Sequence, residues 1–294
     1  MKLGARGDEV IRLQNRLSLP TTGVFDELTA AGVKNIQLKS GMAPSGEVDS
    51  ATHEILFEAD INLSTDHSEI VTDLFESYHL PDGEFKEIVT EKHYIFIHHT
   101  SGWNDPYKQI DIWARDKRGQ IGTAYVIGGT NARTGDKTYD GRVLQAFDEK
   151  YYAWHLGSVD AYMHKHSIGI ELCNFGYLTK KGNSFYTYTG ALVKSSEVVD
   201  LGYSFRGYRY WHKYSKEQIK SLTKLVAYLG KKHDIDLRKG LINWIGQLGP
   251  SEAFDYNDEA KHGEIKGLLS HTNVRKDKTD VSPQEDLVNA LLNI

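Results

Sequence analysis

The stretch Tyr94 to Thr100, YIFIHHT, ends an apolar run on two adjacent histidines, a place from which an imidazole can reach a metal. In an extended strand successive side chains point to opposite faces, so Tyr94, Phe96 and His98 share one face and Ile95, Ile97 and His99 the other. Only one histidine of the pair can look into a given site. Far downstream, GLLSHTNVRKDKTDV concentrates His271, Lys278 and Asp280 in a loop between two helices, and loops on rigid scaffolds are where sites tend to lie. Taken with His98, the chain offers two neutral imidazoles and a carboxylate, the three-ligand set with one open position that catalytic zinc uses. No local motif such as HExxH ties them together. Between them in sequence, SIGIELCNF puts Ile168, Ile170 and Leu172 on one face and Gly169, Glu171 and Cys173 on the other. Thiolate is a softer ligand than carboxylate, so Cys173 competes with Asp280 for the third place.

These residues need elements to hold them. YIFIHH, residues 122 to 129 (GTAYVIGG), residues 142 to 147 (RVLQAF) and SIGIELCNF read as strands on β-branched and aromatic content. Asn104-Asp105-Pro106 caps and opens a helix through Ile110 and Trp113. Ser215 to Gln218 is a capping box for an amphipathic helix carrying Ile219, Leu222, Val226 and Leu229, which Gly230 should stop. Ser282-Pro283-Gln284-Glu285 opens a last helix with Leu287, Val288, Leu291 and Leu292 facing inward. The Tyr-, Gly- and Lys-rich stretch from Leu178 to Tyr210 reads as an inserted hairpin or loop. Residues 91–294 therefore form an α/β or α+β catalytic-sized domain around one central mixed β-sheet flanked by helices.

The first sixty residues echo themselves. Thr22-Gly23-Val24-Phe25-Asp26 with Thr29 returns as Ser45-Gly46-Glu47-Val48-Asp49 with Thr52, 23 positions later. In each, Gly supplies a turn and Asp caps a helix; Asp8 caps an earlier one bearing Val10, Leu13 and Leu17. This is a small three-helix N-terminal domain, residues 1–62. Residues 63–90 are polar and acidic, a linker with one short helix over Ile70, Leu74 and Tyr78.

Composition narrows the function. The 294 residues are 39% hydrophobic and 26% charged, with a net charge of -5 and no basic block, so nucleic acid is not the expected partner. A lone cysteine excludes an internal disulfide. The N-terminus MKLGARGDEV lacks a signal peptide's apolar core, and no run approaches the ~18 residues of a membrane span. The expected protein is made soluble in the cytoplasm and let out by another agent if it acts elsewhere.

GARGDEVIRLQNRL, TGVFDELTAAGVKNIQ and SGEVDSATHEIL together resemble the peptidoglycan-binding domain at the ends of many cell-wall hydrolases, which implies peptidoglycan as the partner. YIFIHHTSGW, then Ala153-Trp154-His155-Leu156-Gly157, then SIGIELCN, then SHTNVRKDKTD, in that order, resemble the zinc-dependent N-acetylmuramoyl-L-alanine amidases that share a fold with peptidoglycan recognition proteins. The resemblance implies that His98, His271 and Asp280 hold Zn2+, that Glu171 is the catalytic acid/base and that Lys278 is the cation beside the metal. It favours Asp280 over Cys173, because the family's third ligand follows the C-terminal histidine. Trp154, His155 and Asn174 are expected at the substrate, the first two as contacts or as supports of the ligands. His99 is expected to be structural, and His164 and His166 to lie on the surface. Some phage members carry a catalytic Tyr near position 123, where this chain has Thr123.

The implied function is hydrolysis of the amide between N-acetylmuramic acid and L-alanine. The alternatives are a non-catalytic recognition protein of the same fold and a cytoplasmic muropeptide-recycling amidase. A wall hydrolase without a signal peptide resembles a bacteriophage endolysin, released to the cell wall by a holin-type partner.

Overall fold

The computed structural model describes residues 1–17, 19, 21–53, 55–56 and 74–294. The chain divides into two compact units, Met1–Val71 and Thr72–Ile294.

In the first unit, α1 (Asp8–Arg16), α2 (Glu27–Lys39) and α3 (Ser50–His53) surround Val10, Leu13, Phe25, Val33, Val48 and Leu56. Helix α1 begins at Asp8 itself; the capping role expected of the Asp8 side chain lies outside the described residues. The two echoed loops share one internal design, centred on a pair of glutamines 23 positions apart. Gln14 Nε2 donates to Thr22 Oγ1, Val24 O and Thr29 Oγ1, while its Oε1 accepts from Gly23 N. Gln37 does the same with Ser45 Oγ, Glu47 O, Thr52 Oγ1 and Gly46 N. Asp26 and Asp49 accept from the backbone N–H of Thr29 and Thr52, as their capping positions predict. Gly23 and Gly46 sit at φ 67° and 76°, where a side chain would be strained.

The second unit is built on β1 (Glu76–Ser77), β2 (Tyr94–His99), β3 (Tyr125–Ile127), β4 (Val143–Gln145), β5 (Ser167–Leu172) and, much later, β11 (Gly267–Ser270). They form a six-stranded sheet in the order β1-β4-β3-β5-β2-β11, parallel except between β3 and β4. The mixed sheet expected from the sequence is present. The β1 strand replaces the short helix expected over Leu74 and Tyr78, because Glu76 and Ser77 pair with Leu144 and Gln145; Ile70 lies outside the described residues.

Strand alternation sorts the core. Ile95 and Ile97 join Ile168, Ile170 and Leu172 in the larger cluster, with Ile110 and Trp113 of α4 (Pro106–Trp113). Tyr94 and Phe96 face the other way, onto Leu156, Leu269, Val274 and Met163 of α5 (Ala161–Lys165). The larger cluster also takes Leu222, Leu225, Val226 and Leu229 of α6 (Lys216–Lys232), capped by Ser215 as expected. Gly230 does not stop α6, which runs on to Lys232; a Cβ there would come within 2.8 Å of Leu237, so the glycine makes room for a packing contact. Short helices α7 (Leu241–Leu248), α8 (Pro250–Ala253), α9 (Asp258–Lys261) and α10 (His271–Val274) follow, and α11 (Glu285–Leu291) closes the chain. It buries Leu287, Val288 and Leu291, but Leu292 is 48% exposed rather than inward.

The stretch expected to be a hairpin or loop is instead a second sheet. Strands β6 (Tyr177–Lys181), β7 (Ser184–Thr187), β8 (Leu192–Val193), β9 (Val198–Phe205) and β10 (Tyr208–His212) pair antiparallel in the order β8-β7-β6-β10-β9. Its apolar alternation is hard to see in sequence because aromatics do the packing. Tyr177 stacks on Tyr208 at 3.7 Å between centroids, Phe185 meets Tyr210 edge-on, and Lys180 lies over both of the latter rings.

Candidate metal centre

Parallel strands deliver their C-terminal ends to one edge of the sheet, where ligand sites of open α/β sheets form. At that edge Ser270 of β11 is the register partner of Ile97 of β2, so the next residues, His271 and His98, emerge side by side although 173 positions separate them. Asp280 returns to them because its carbonyl accepts from Thr272 N at 3.0 Å. The three residues are buried and their donor atoms form a triangle. His98 Nδ1 lies 3.1 Å from His271 Nδ1 and 3.3 Å from Asp280 Oδ2, and His271 Nδ1 lies 2.9 Å from the same oxygen.

The surrounding hydrogen bonds suit one pair of tautomers. His98 Nε2 faces His155 Nδ1 at 2.9 Å, and His155 Nε2 faces Ser167 Oγ at 2.7 Å. His271 Nε2 faces the carbonyl of Leu156 at 3.4 Å, an acceptor only. With protons on both Nε2 atoms, the two Nδ1 lone pairs and a carboxylate oxygen converge, a donor set that suits a cation. A tetrahedral ion bound ~2.0 to 2.2 Å from N and O ligands holds them about 3.3 Å apart. The observed triangle fits that spacing, and two imidazoles with one carboxylate fit zinc.

Electrostatics favour a neutral His98 and an ionised Asp280. Burial, with His271 adding, lowers the pKa of His98 to about 4, so its imidazole is neutral. Burial alone would raise Asp280, but its contacts with His271 and His98 hold the carboxyl well below the ordinary range.

Glu171 is the register partner of His98 on β5, so both side chains leave the same face of the sheet. Burial pushes its carboxyl well above the ordinary range, Asp280 adds to the rise, and Lys278 pulls it down. Lys278 is partly exposed, and its charge also reaches His98 and His99.

The other expected residues divide. His99 is buried on the opposite face, with Nδ1 2.9 Å from the Tyr214 hydroxyl, the structural place expected of it. Cys173 is buried in the larger core outside the donor triangle, and burial pushes its thiol up. Asn174 is not available to a substrate. It is buried, its amide donating to the carbonyls of His212 and Lys213 and accepting from Gly176 N. His155 stands behind His98 as a support, and Gly169 makes the room, since a Cβ there would lie 3.0 Å from His155 Nδ1. Trp154 is partly exposed and packs edge-on against His164 at 4.8 Å. His164 is buried rather than on the surface: its Nδ1 accepts from His155 N and Leu156 N, which fixes the turn carrying His155. His166 is partly exposed and stacks against both His93 and Tyr162. Thr123 is buried, its hydroxyl donating to Tyr125 O. Ser167 and Tyr214 carry no local signal in the sequence, because the contacts that matter here, with His155 and with His99, join residues well apart in the chain.

Comparison with known proteins follows this geometry. Residues 6–56 match the model of a putative peptidoglycan binding domain. No curated protein matches the chain. Among solved structures, the chain is similar to PlyL (TM-score 0.38, 9% identity, 68% of this chain and 84% of that one). It is also similar to a selenomethionine AmpD derivative (0.40, 14%, 74% and 94%) and to the N-acetylmuramoyl-L-alanine amidase LysC from Clostridium intestinale URNW (0.35, 16%, 70% and 89%). The model of the N-acetylmuramoyl-L-alanine amidases matches residues 89–283, well over half of the chain, and the protein belongs to that family.

Proposed function

We propose that the protein is a zinc-dependent peptidoglycan hydrolase that cleaves the amide between the lactyl group of N-acetylmuramic acid and L-alanine of the stem peptide. Residues 1–62 hold it on the wall, 63–90 link, and 91–294 catalyse. The observation that carries this reading is the donor triangle of His98, His271 and Asp280 with Glu171 beside it on the adjacent strand.

His98, His271 and Asp280 would hold the ion. Zinc bound there supplies a Lewis acid that polarises a carbonyl and lowers the pKa of water toward ~7. Glu171 takes the proton of the water that attacks the amide carbonyl and delivers it to the departing nitrogen. That delivery matters because an amide nitrogen leaves only once protonated. Lys278 stabilises the oxyanion that develops on the carbonyl oxygen. His155, held by Ser167, keeps His98 in the tautomer whose Nδ1 lone pair faces inward. Mass spectrometry of fragments released from defined peptidoglycan tests the assignment: stem peptides with free L-alanine amino termini support it, and fragments cut only between sugars or within the peptide contradict it.

A further inference from the structure

Strands β9 and β10 are joined by two residues, Arg206 and Gly207, between the register partners Phe205 and Tyr208. Both have positive φ, 50° and 86°, the pattern of a type I′ hairpin, whose first position ordinarily goes to Asn, Asp or Gly. An arginine there holds its backbone in a region that side chains rarely adopt.

Its guanidinium reaches out of the inserted sheet. Nη1 donates to the carbonyl of Lys276 at 2.8 Å and Nη2 to the carbonyl of Thr272 at 2.9 Å. Nη2 also lies 2.7 Å from Asp255 Oδ1, and the side chain is 12% exposed. Both carbonyls belong to the segment between His271 and Asp280, and Thr272 N donates in turn to the carbonyl of Asp280. Just beyond β10, the same stretch of chain grips the other side of Asp280. The Tyr214 hydroxyl accepts from Ser282 N at 3.4 Å, and the Gln284 side chain joins Tyr214 N to the carbonyl of His212.

We propose that the inserted sheet is the strap that sets the metal-ligand loop, and that Arg206 is its positioning residue, fixing the separation of His271 and Asp280 through the backbone between them. The inference rests on the metal reading above. A planar fork with several fixed donors can hold two carbonyls and a carboxylate at once, whereas a lysine ammonium is a point charge on a flexible stem.

The test uses the full chain and the variants R206N and R206K. Asparagine suits the left-handed turn position, so R206N keeps the hairpin and removes the fork. Zinc affinity is read by competition with a chelator, and amide hydrogen exchange is read in zinc-free protein. The expected result is a loss of zinc affinity of about 10- to 100-fold in R206N, the range seen when partners that orient metal ligands are removed. Exchange at the Thr272 amide should quicken while β9 and β10 stay protected, and R206K should recover part of the affinity. Wild-type zinc affinity in R206N, or loss of protection throughout β9 and β10 with the affinity, overturns the proposal. A wild-type protein that binds no zinc overturns the metal reading instead, and exchange at Thr272 then decides by itself whether Arg206 holds the loop.

Discussion

Glu171 and His98 are register partners on adjacent parallel strands, so a carboxyl and an imidazole from distant parts of the chain leave one edge and one face of the sheet together. Glu171 stands outside the donor triangle, which separates its proposed role from metal binding. Glu171→Gln should lower amide hydrolysis by about 10²- to 10⁴-fold, the usual weight of a positioned acid/base, and keep its zinc. Metal analysis beside steady-state rates checks this, and an active variant removes Glu171 from the mechanism.

His155 touches His98 at Nε2, the ring nitrogen that points away from the donor triangle. Replacing it with Phe fills similar space but breaks the chain of hydrogen bonds from His98 to Ser167. Zinc affinity should fall by about 10- to 100-fold. Gly169→Ala should act in the same direction, since its Cβ would press on Thr123 and His155. Chelator competition on both variants is the measurement, and unchanged affinity in the Phe variant speaks against the tautomer assignment.

Glu149 is a stability group remote from this chemistry. Burial alone would raise its pKa, but hydrogen bonds from His233, Lys232 and Tyr125 reverse the shift and hold the carboxyl below its ordinary value. A depressed carboxyl contributes stability that is present above its unfolded value, 4.5, and is lost as pH falls through the lower folded value. Glu149→Gln should therefore destabilise the second unit by roughly 1.5 to 3 kcal/mol near neutrality, the weight of hydrogen bonds to a charged group, since the Lys232 side chain is itself 43% exposed. The difference from wild type should shrink below the unfolded value. Denaturant unfolding of both proteins across pH measures it, and a difference independent of pH contradicts the assignment.

Gln14 and Gln37 each satisfy four polar partners inside the N-terminal unit. Gln37→Ala leaves the Gly46 N–H and the Thr52 hydroxyl without that partner. It should lower the stability of this unit by about 2 to 3 kcal/mol, the cost of orphaned buried groups. Gln14→Ala should match it, because the echoed loops are built alike. Unfolding followed by hydrogen exchange in residues 21–53 gives the comparison, and a loss in only one variant breaks the equivalence.

Much of this was legible in the chain because strand alternation is local. The pattern YIFIHH alone separates His98 from His99, and the structure gives them different partners, His271 for the first and the Tyr214 hydroxyl for the second. Capping residues were equally readable at Asp26, Asp105 and Ser215. Partnerships between distant residues were not. Nothing near Asn174 announces that its amide is consumed by the backbone of His212 and Lys213, and nothing near Arg206 announces the carbonyls it holds. The inserted sheet stayed hidden because tyrosines and lysine stems supply its packing, so its strands lack a plain apolar alternation.

Titration of the metal-free 294-residue chain with zinc, while counting new L-alanine amino termini released from peptidoglycan, tests the central claim most directly. The account predicts that activity rises to a plateau at one zinc per chain and that His98→Ala, His271→Ala and Asp280→Ala each abolish tight binding and release together. Full release of those termini by the metal-free protein, or tight zinc binding and full activity in the Asp280→Ala variant, would contradict it.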